Sequence, residues 1–203
     1  VATPTESGAG GILGTSLFGR IHTSTSAINV TWERTDDAID LSASIGPAAG
    51  GAVGRATGIT ISDVHTSGQI EGIHSVGGII GSMTAFDLTE CTLSSSTSTG
   101  DIIGVGGGIG GIAGELNARA CNVGSMGSTS GAYWVGGVAG HNDLESHCDQ
   151  CFSSADVTGI DGPFSLSSAI GGLWGHSSAP GSVTNSLFTG EVSWLSGGET
   201  YAG

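Results

Sequence analysis

Alternating apolar and polar positions predict short β-strands along the chain. The pattern is clearest at residues 59–64, 86–91 and 182–187, where β-branched and apolar residues alternate with polar ones. Strands of this kind are bounded by Gly- and Ser-rich segments, which favour turns over helices. The sequence therefore predicts an all-β protein.

A five-residue box recurs between the predicted strands. It consists of two glycines, two mostly apolar residues and a third glycine, and successive copies begin 27, 33, 26 and 35 residues apart. An imperfect earlier copy begins at Gly10. The box glycines, which we predict to be structural, are Gly50, Gly51, Gly54, Gly77, Gly78, Gly81, Gly110, Gly111, Gly114, Gly136, Gly137, Gly140, Gly171, Gly172 and Gly175.

This period predicts a stack of similar coils. A unit of about thirty residues cannot bury an apolar face alone, so consecutive units must pack on one another. We therefore predict a β-helix, or β-solenoid, of about six coils. Residues 1–48 fit the repeat poorly and are expected to form an N-terminal cap with a first imperfect coil, whereas residues 49–203 form the repeats.

The boxes and the strands that follow them resemble the GLUG repeat of bacterial and archaeal surface proteins. That motif reads Gly-Gly-Leu-Val-Gly, a turn, and a strand leading to Thr-Gly or Ser-Gly, and the downstream ending is present at residues 66–68, 98–100, 157–159 and 188–190. The resemblance implies a secreted adhesin, a large surface protein or the non-catalytic stalk of a surface peptidase. It carries no peptidase activity over, because the chain has no zinc-peptidase motif.

Charge narrows the range of partners. The 203 residues carry 18 acidic and 4 basic side chains, all four of them Arg, which gives a formal net charge of -14. Such a surface repels phosphates, so nucleic acid is not expected as a partner. No apolar run approaches the roughly 20 residues of a membrane-spanning helix. Acidity without Lys suits an extracellular or cell-surface location.

Four cysteines are predicted to lie at inward strand positions. Aligning the repeats places Cys121 beside Ile61, Leu88 and Cys148, and places Cys91 beside Val64 and Cys151. We favour disulfides joining Cys91 to Cys121 and Cys148 to Cys151, since a bond between Cys121 and Cys148 would leave the other two about 10 Å apart. Reduced buried thiols remain an alternative. The segment 141–151 also has zinc-ligand residue types, but no metal or other cofactor is predicted.

A possible ligand face comes from polar pairs in successive coils. Stacking would bring Asp63 to within about 5 Å of Glu90, and Trp174 would supply an aromatic surface for a sugar. The more ordinary interpretation is a solvated ladder of polar side chains. Asn29 begins an Asn-x-Thr sequence and is a possible glycosylation site.

These observations predict a secreted or cell-surface structural or adhesive repeat protein, in which an uncovered coil would allow self-association into an extracellular filament. Expected partners are further copies of the chain, other surface proteins or glycans. The alternative is a carbohydrate-binding or polysaccharide-active β-helix, and ice binding ranks third. No catalytic residue is proposed, and the chain is not expected to be an enzyme.

Overall fold

The computed structural model describes residues 8–31, 46–161 and 168–195. Within these residues the chain is all-β, with 26 strands and no helix. The strands occur in six successive sets, which we call coils 1 to 6.

Coils 1 and 2 each have one long strand flanked by two short ones. Coil 1 consists of β1 (Gly8–Gly10), β2 (Leu13–Ala27) and β3 (Val30–Thr31), and coil 2 of β4 (Ala48–Gly50), β5 (Val53–Ser67) and β6 (Gln69–Gly72).

In coils 3 to 6 the long strand is divided into three. Coil 3 consists of β7 (His74–Gly77), β8 (Ile80–Thr84), β9 (Leu93–Ser94), β10 (Thr97–Ser98) and β11 (Asp101–Gly104). Coil 4 consists of β12 (Ile109–Gly110), β13 (Ala113–Asn117), β14 (Arg119–Cys121), β15 (Gly124–Ser125) and β16 (Ser128–Gly131). Coil 5 consists of β17 (Trp134–Gly136), β18 (Ala139–Asn142), β19 (Ser146–Asp149), β20 (Phe152–Ser153) and β21 (Asp156–Ile160). Coil 6 consists of β22 (Ala169–Gly171), β23 (Trp174–Ser177), β24 (Gly181–Thr184), β25 (Leu187–Phe188) and β26 (Val192–Leu195).

Equivalent strands of successive coils pair in parallel and build three sheets. Sheet 1 has the order β1-β4-β7-β12-β17-β22 and sheet 3 the order β3-β6-β11-β16-β21-β26, while the remaining 14 strands form sheet 2. Each coil thus passes through the three sheets in turn, which is a solenoid-like arrangement. The prediction of an all-β chain is confirmed.

Two apolar cores lie inside the three sheets. Sheet 2 encloses the larger, and a second core lies between sheets 1 and 3. Each core is built of columns in which one residue per coil stacks on its equivalent; one column consists of Leu13, Val53, Ile80, Ala113, Ala139 and Trp174. Stacking like on like buries an apolar position in every coil without requiring a long strand.

The glycine boxes connect the two cores. A hydroxyl column in the last part of sheet 2, made of Ser26, Thr66, Ser98, Ser125 and Ser153, is buried. It faces the second glycine of the boxes in coils 1 to 5, whereas Phe188 takes this place in coil 6. Thr66 donates to the Gly78 carbonyl at 2.7 Å and Ser125 to that of Gly137. A Cβ on Gly111 would overlap the Gly137 carbonyl and lie 2.6 Å from Ser125 Cβ, so this position admits only glycine.

A left-handed residue bends each coil within sheet 2. Its φ lies between 48° and 57° in all six coils, at Thr23, Asp63, Ser95, Asn122, Gln150 and Asn185. Small polar and amide residues tolerate this conformation better than β-branched apolar ones do. The predicted strand 182–187 is divided at this corner, between β24 and β25, whereas β5 continues through its corner at Asp63 and includes residues 59–64 as predicted.

The prediction of a strand at residues 86–91 was wrong. These residues form a connection between β8 and β9, held by the Asp87 carboxylate, which accepts from the Thr89 amide at 2.8 Å. Leu93, and not Leu88, stacks on Ile61. The column continues with Ala120 in coil 4 and Cys148 in coil 5. The inserted residues shifted the alignment, and their alternating polarity imitated a strand.

The predicted N-terminal cap includes residues 8–31, which pair with coil 2 in all three sheets. The boundary at residue 48 stays a prediction, and the charged run at residues 32–37 lies outside the described residues.

We predict that Gly111→Ala lowers the free energy of unfolding by about 2–3 kcal/mol, because the added methyl overpacks the contact with Ser125 and the next coil. Urea unfolding measures the loss. Gly107→Ala is the matched control, since its Cβ would meet only the edge of the Trp134 ring, at 3.0 Å. Equal losses in the two variants would contradict the proposed packing.

Candidate functional site

The predicted ligand residues do not share one face. Asp63 lies at the left-handed corner of coil 2, and Glu90 is exposed in the connection of coil 3. Ser94, and not Thr89, is the register partner of Ser62, so Glu90 does not stack on Asp63. Trp174 ends the core column of Val53, four coils from Asp63, so the two residues are separated by about 19 Å along the stack alone. The separation of Glu90 from Asp63 arises from the register error described above, and that of Trp174 from its position in another column and another coil.

Both predicted disulfides are present. Cys91 is bonded to Cys121 and Cys148 to Cys151, with Cα separations of 5.7 and 6.0 Å. Cys148 and Cys151 are buried as predicted. Cys91 and Cys121 are only half-buried: Cys121 pairs with Ser94, outside the core column, and Cys91 belongs to the connection before β9. The first disulfide therefore ties that connection to β14.

Asn29 is exposed, and its side-chain oxygen accepts a hydrogen bond of 2.9 Å from the backbone N–H of Gln69. The bond satisfies the amide at the start of β6. Glycosylation at Asn29 stays a prediction.

One polar column was not predicted from the sequence; it is buried at Ser82, Glu115 and His141 and partly buried at its two ends. The residue after the third glycine of each box is Arg55, Ser82, Glu115, His141 or His176 in coils 2 to 6, and these five residues, which we call the polar seam, are register partners. The seam lies where sheets 1 and 2 approach: Arg55 Nη2 donates to the Gly46 carbonyl at 2.7 Å. A polar residue after every box was the signal that could have revealed it.

Glu115 is the central charge of the polar seam and is 8% exposed. Its carboxylate accepts from Ser82 Oγ at 3.0 Å and from Asn117 Nδ2 at 2.6 Å, and Ser82 in turn accepts from Arg55 Nη1 at 3.3 Å. Burial raises the pKa of Glu115 above its ordinary value, while the bond from Ser82 and the charge of Arg55 oppose the rise. The cost of removing water from the charged carboxylate is larger than the stabilisation that its hydrogen bonds give it.

The polar seam ends in coils 5 and 6 with two histidines, and the ring of Trp134 lies against both of them. The ring of Trp134 stacks on those of His141 and His176, with centroids 4.2 and 5.3 Å apart, and the two imidazoles are 5.3 Å apart. The side chain of His141 is only 3% exposed. Burial lowers its pKa; Asp143 opposes that shift and His176 adds to it.

Ser178 lies against both imidazoles. Its hydroxyl is 2.9 Å from His141 Nε2 and 3.4 Å from His176 Nδ1, and Asp143 Oδ1 is 3.4 Å from the same His141 nitrogen. A Ser-His-Asp triad needs its serine and carboxylate on opposite ring nitrogens. The arrangement therefore lacks the geometry of a charge-stabilised nucleophile. In the described residues, no three His, Cys, Asp or Glu side chains are placed to hold a metal ion.

Coil 6 exposes apolar residues that the inner coils bury. Val183 and Val192, whose equivalents in coil 5 are fully buried, are 43% and 47% exposed. A cavity of about 140 Å³ opens here, lined by Trp174, Ser177, Gly181, Ser182 and Val183. Within the described part of the chain, no strand pairs with the outer edges of β22–β26.

Comparison of the chain with protein-family models, with curated proteins and with solved structures gave no match. In the described ranges, no helix is long and apolar enough to cross a membrane.

We predict that Glu115→Gln changes how stability depends on pH. Because burial raises the folded-state pKa of Glu115 above its ordinary value, the folded state binds this proton more tightly than the unfolded state. The contribution of Glu115 to stability is therefore greatest in acid and falls as pH rises through the folded pKa. Each tenfold difference in proton affinity between the two states corresponds to about 1.4 kcal/mol. In urea unfolding, the free energy of unfolding of the parent minus that of the variant should be smaller at pH 8 than at pH 5.

Glu71→Gln, on the exposed face of sheet 3, is the matched control for this experiment. A parent-to-variant difference that is the same at both pH values for Glu115→Gln would contradict the assigned burial of the charge.

Proposed function

We propose that the chain is a β-solenoid of six coils that acts as a structural or adhesive module of the GLUG-repeat kind, secreted or displayed on a cell surface. In this proposal it joins further copies end to end through coil 6. It uses no cofactor and performs no catalysis, and its work is to hold a rigid shape and to present surfaces.

The uncovered apolar columns of coil 6 carry this proposal. Burying a Val side chain contributes about 1.5–3 kcal/mol, so exposing Val183 and Val192 at one end favours association with another surface. The edges of β22–β26 also offer backbone groups to an added parallel strand. A second copy can supply such a surface and such strands, since within the described residues its own coil 1 ends in the unpaired edges of β1, β2 and β3.

Two further features support the proposed setting. The disulfides are compatible with an oxidising compartment. The net charge of -14 opposes association of copies in dilute buffer, so salt should promote assembly by screening the repulsion.

The test is sedimentation velocity and electron microscopy of the parent and of the double variant Val183→Asp/Val192→Asp at about 0.15 M salt. We expect concentration-dependent end-to-end oligomers of the parent. Because the variant would bury unpaired carboxylates, its association should weaken at least about tenfold. Leu144→Asp is the matched control, since Leu144 is 54% exposed but lies in a connection away from the core columns. A parent that stays monomeric at every concentration and salt, or oligomers unaffected by the double variant, would contradict end-to-end assembly.

An exposed aromatic pair favours carbohydrate binding as the second candidate. Phe18 and Phe86 are 67% and 70% exposed, and their rings stack with centroids 5.5 Å apart beside Gly58. Phe18 has a φ of 61°, a conformation that is costly for an aromatic residue and is often retained for a function. Flat exposed rings bind the apolar faces of sugars.

For this candidate we predict that Phe86→Ala abolishes binding on a glycan array while leaving the thermal midpoint within about 2 °C, because little of the ring is buried. Phe152→Ala is the control on another part of sheet 2. Glycan binding by the parent that survives Phe86→Ala would remove this site from consideration.

Ice binding stays the third-ranked prediction. One column of sheet 3 facing away from the core consists of Thr31, Glu71, Ile103, Ser130, Thr158 and Ser193, which lacks the regular threonines that a flat ice-binding face needs.

A further inference from the structure

We propose that His141, His176, Trp134 and Ser178 form a proton-operated clamp that fixes coil 6 on coil 5. This inference stands apart from end-to-end assembly, because it concerns a contact inside one molecule. The clamp is closed when both imidazoles are neutral or share one proton, and it opens when both are charged.

The geometry couples the two coils through one set of contacts. His141 lies on β18 of coil 5 and His176 on β23 of coil 6, and they are register partners. The indole of Trp134, on β17 of coil 5, stacks on both rings, and the hydroxyl of Ser178, just after β23, approaches a nitrogen of each. Neutral imidazoles satisfy this arrangement, since the hydroxyl can donate a hydrogen bond to one ring nitrogen and accept one from the other ring.

The charged groups around the two imidazoles allow one of them to be protonated while the clamp stays closed. Asp143 is 3.4 Å from His141 Nε2 but is itself 39% exposed and therefore partly screened. Glu115, the register partner of His141 on β13, is already bonded to Ser82 and Asn117, and Arg55 lies beyond Ser82. One imidazolium also gains from contact with the indole face.

A second proton changes the balance. The imidazoles are 5.3 Å apart, so at an effective dielectric constant of about 20 the first charge weakens binding of the second proton roughly 100-fold or more. His141, at 3% exposure, cannot hydrate a charge where it lies. Separation of the two rings, and with it loosening of β23 from β18, relieves both costs.

The test combines a histidine NMR titration with amide hydrogen exchange of the full chain from pH 7.5 to 4.5, in 0.15 M salt. We expect the pair to titrate in two steps about two pH units apart. Over the second step, the protection factors of the β23 amides should fall at least tenfold, while those of β13 stay constant. Two imidazoles that titrate in one shared step would overturn the proposal.

His176→Gln leaves a single imidazole and should abolish the loss of protection in β23. His22→Gln is the matched control, because His22 is exposed on coil 1 and bonded to Ser62 at 2.8 Å; this variant should keep the loss. A loss of protection that persists in His176→Gln but disappears in Glu115→Gln would assign the effect to Glu115 and overturn the clamp. If His176→Gln does not fold, the two-step titration of the parent still decides the question.

Discussion

The close approach of backbone at the glycine boxes is the constraint on which the other features of this molecule depend. At each box the chain passes from the core between sheets 1 and 3 to the core of sheet 2, and in coils 1 to 5 the second glycine lies against a buried hydroxyl column. Any side chain there would separate successive coils. Glycine costs conformational entropy on folding, and the repeated burial of core columns offsets that cost.

The same approach of sheets 1 and 2 creates the polar seam. The position after the third glycine of each box, on β5, β8, β13, β18 and β23, carries a polar side chain, and Arg55 donates a hydrogen bond to the Gly46 carbonyl, just before β4. The seam buries a carboxylate and an imidazole in a protein whose outer surface is strongly acidic. A stack held by uncharged backbone and apolar columns can tolerate that arrangement because Glu115 and His141 each have a hydrogen-bond partner in the adjoining coil.

The repeat and the strand content could be predicted from sequence because glycine spacing and alternation report local geometry directly. The register could not, since the insertion that contains Phe86 and Glu90 carries the alternating polarity of a strand, and only pairing with β14 shows that Leu93 enters the core. The Cys91–Cys121 disulfide was predictable because it joins adjacent coils, and the Cys148–Cys151 disulfide because its cysteines are three residues apart. The polar seam was missed because its members share polarity but not residue type, and because charge inside a repeat was interpreted as solvated surface.

A stack of coils joined at the boxes predicts definite distances along one column, and spin-label measurement tests this most directly. Thr60 and Ser182 belong to one column four intervals apart, and Arg20 and Ser182 to the same column five intervals apart. With cysteine replacing each pair, we expect backbone separations of about 19 and 24 Å, narrowly distributed and about 5 Å different. Broad distributions, or equal distances for the two pairs, would contradict the stacked solenoid.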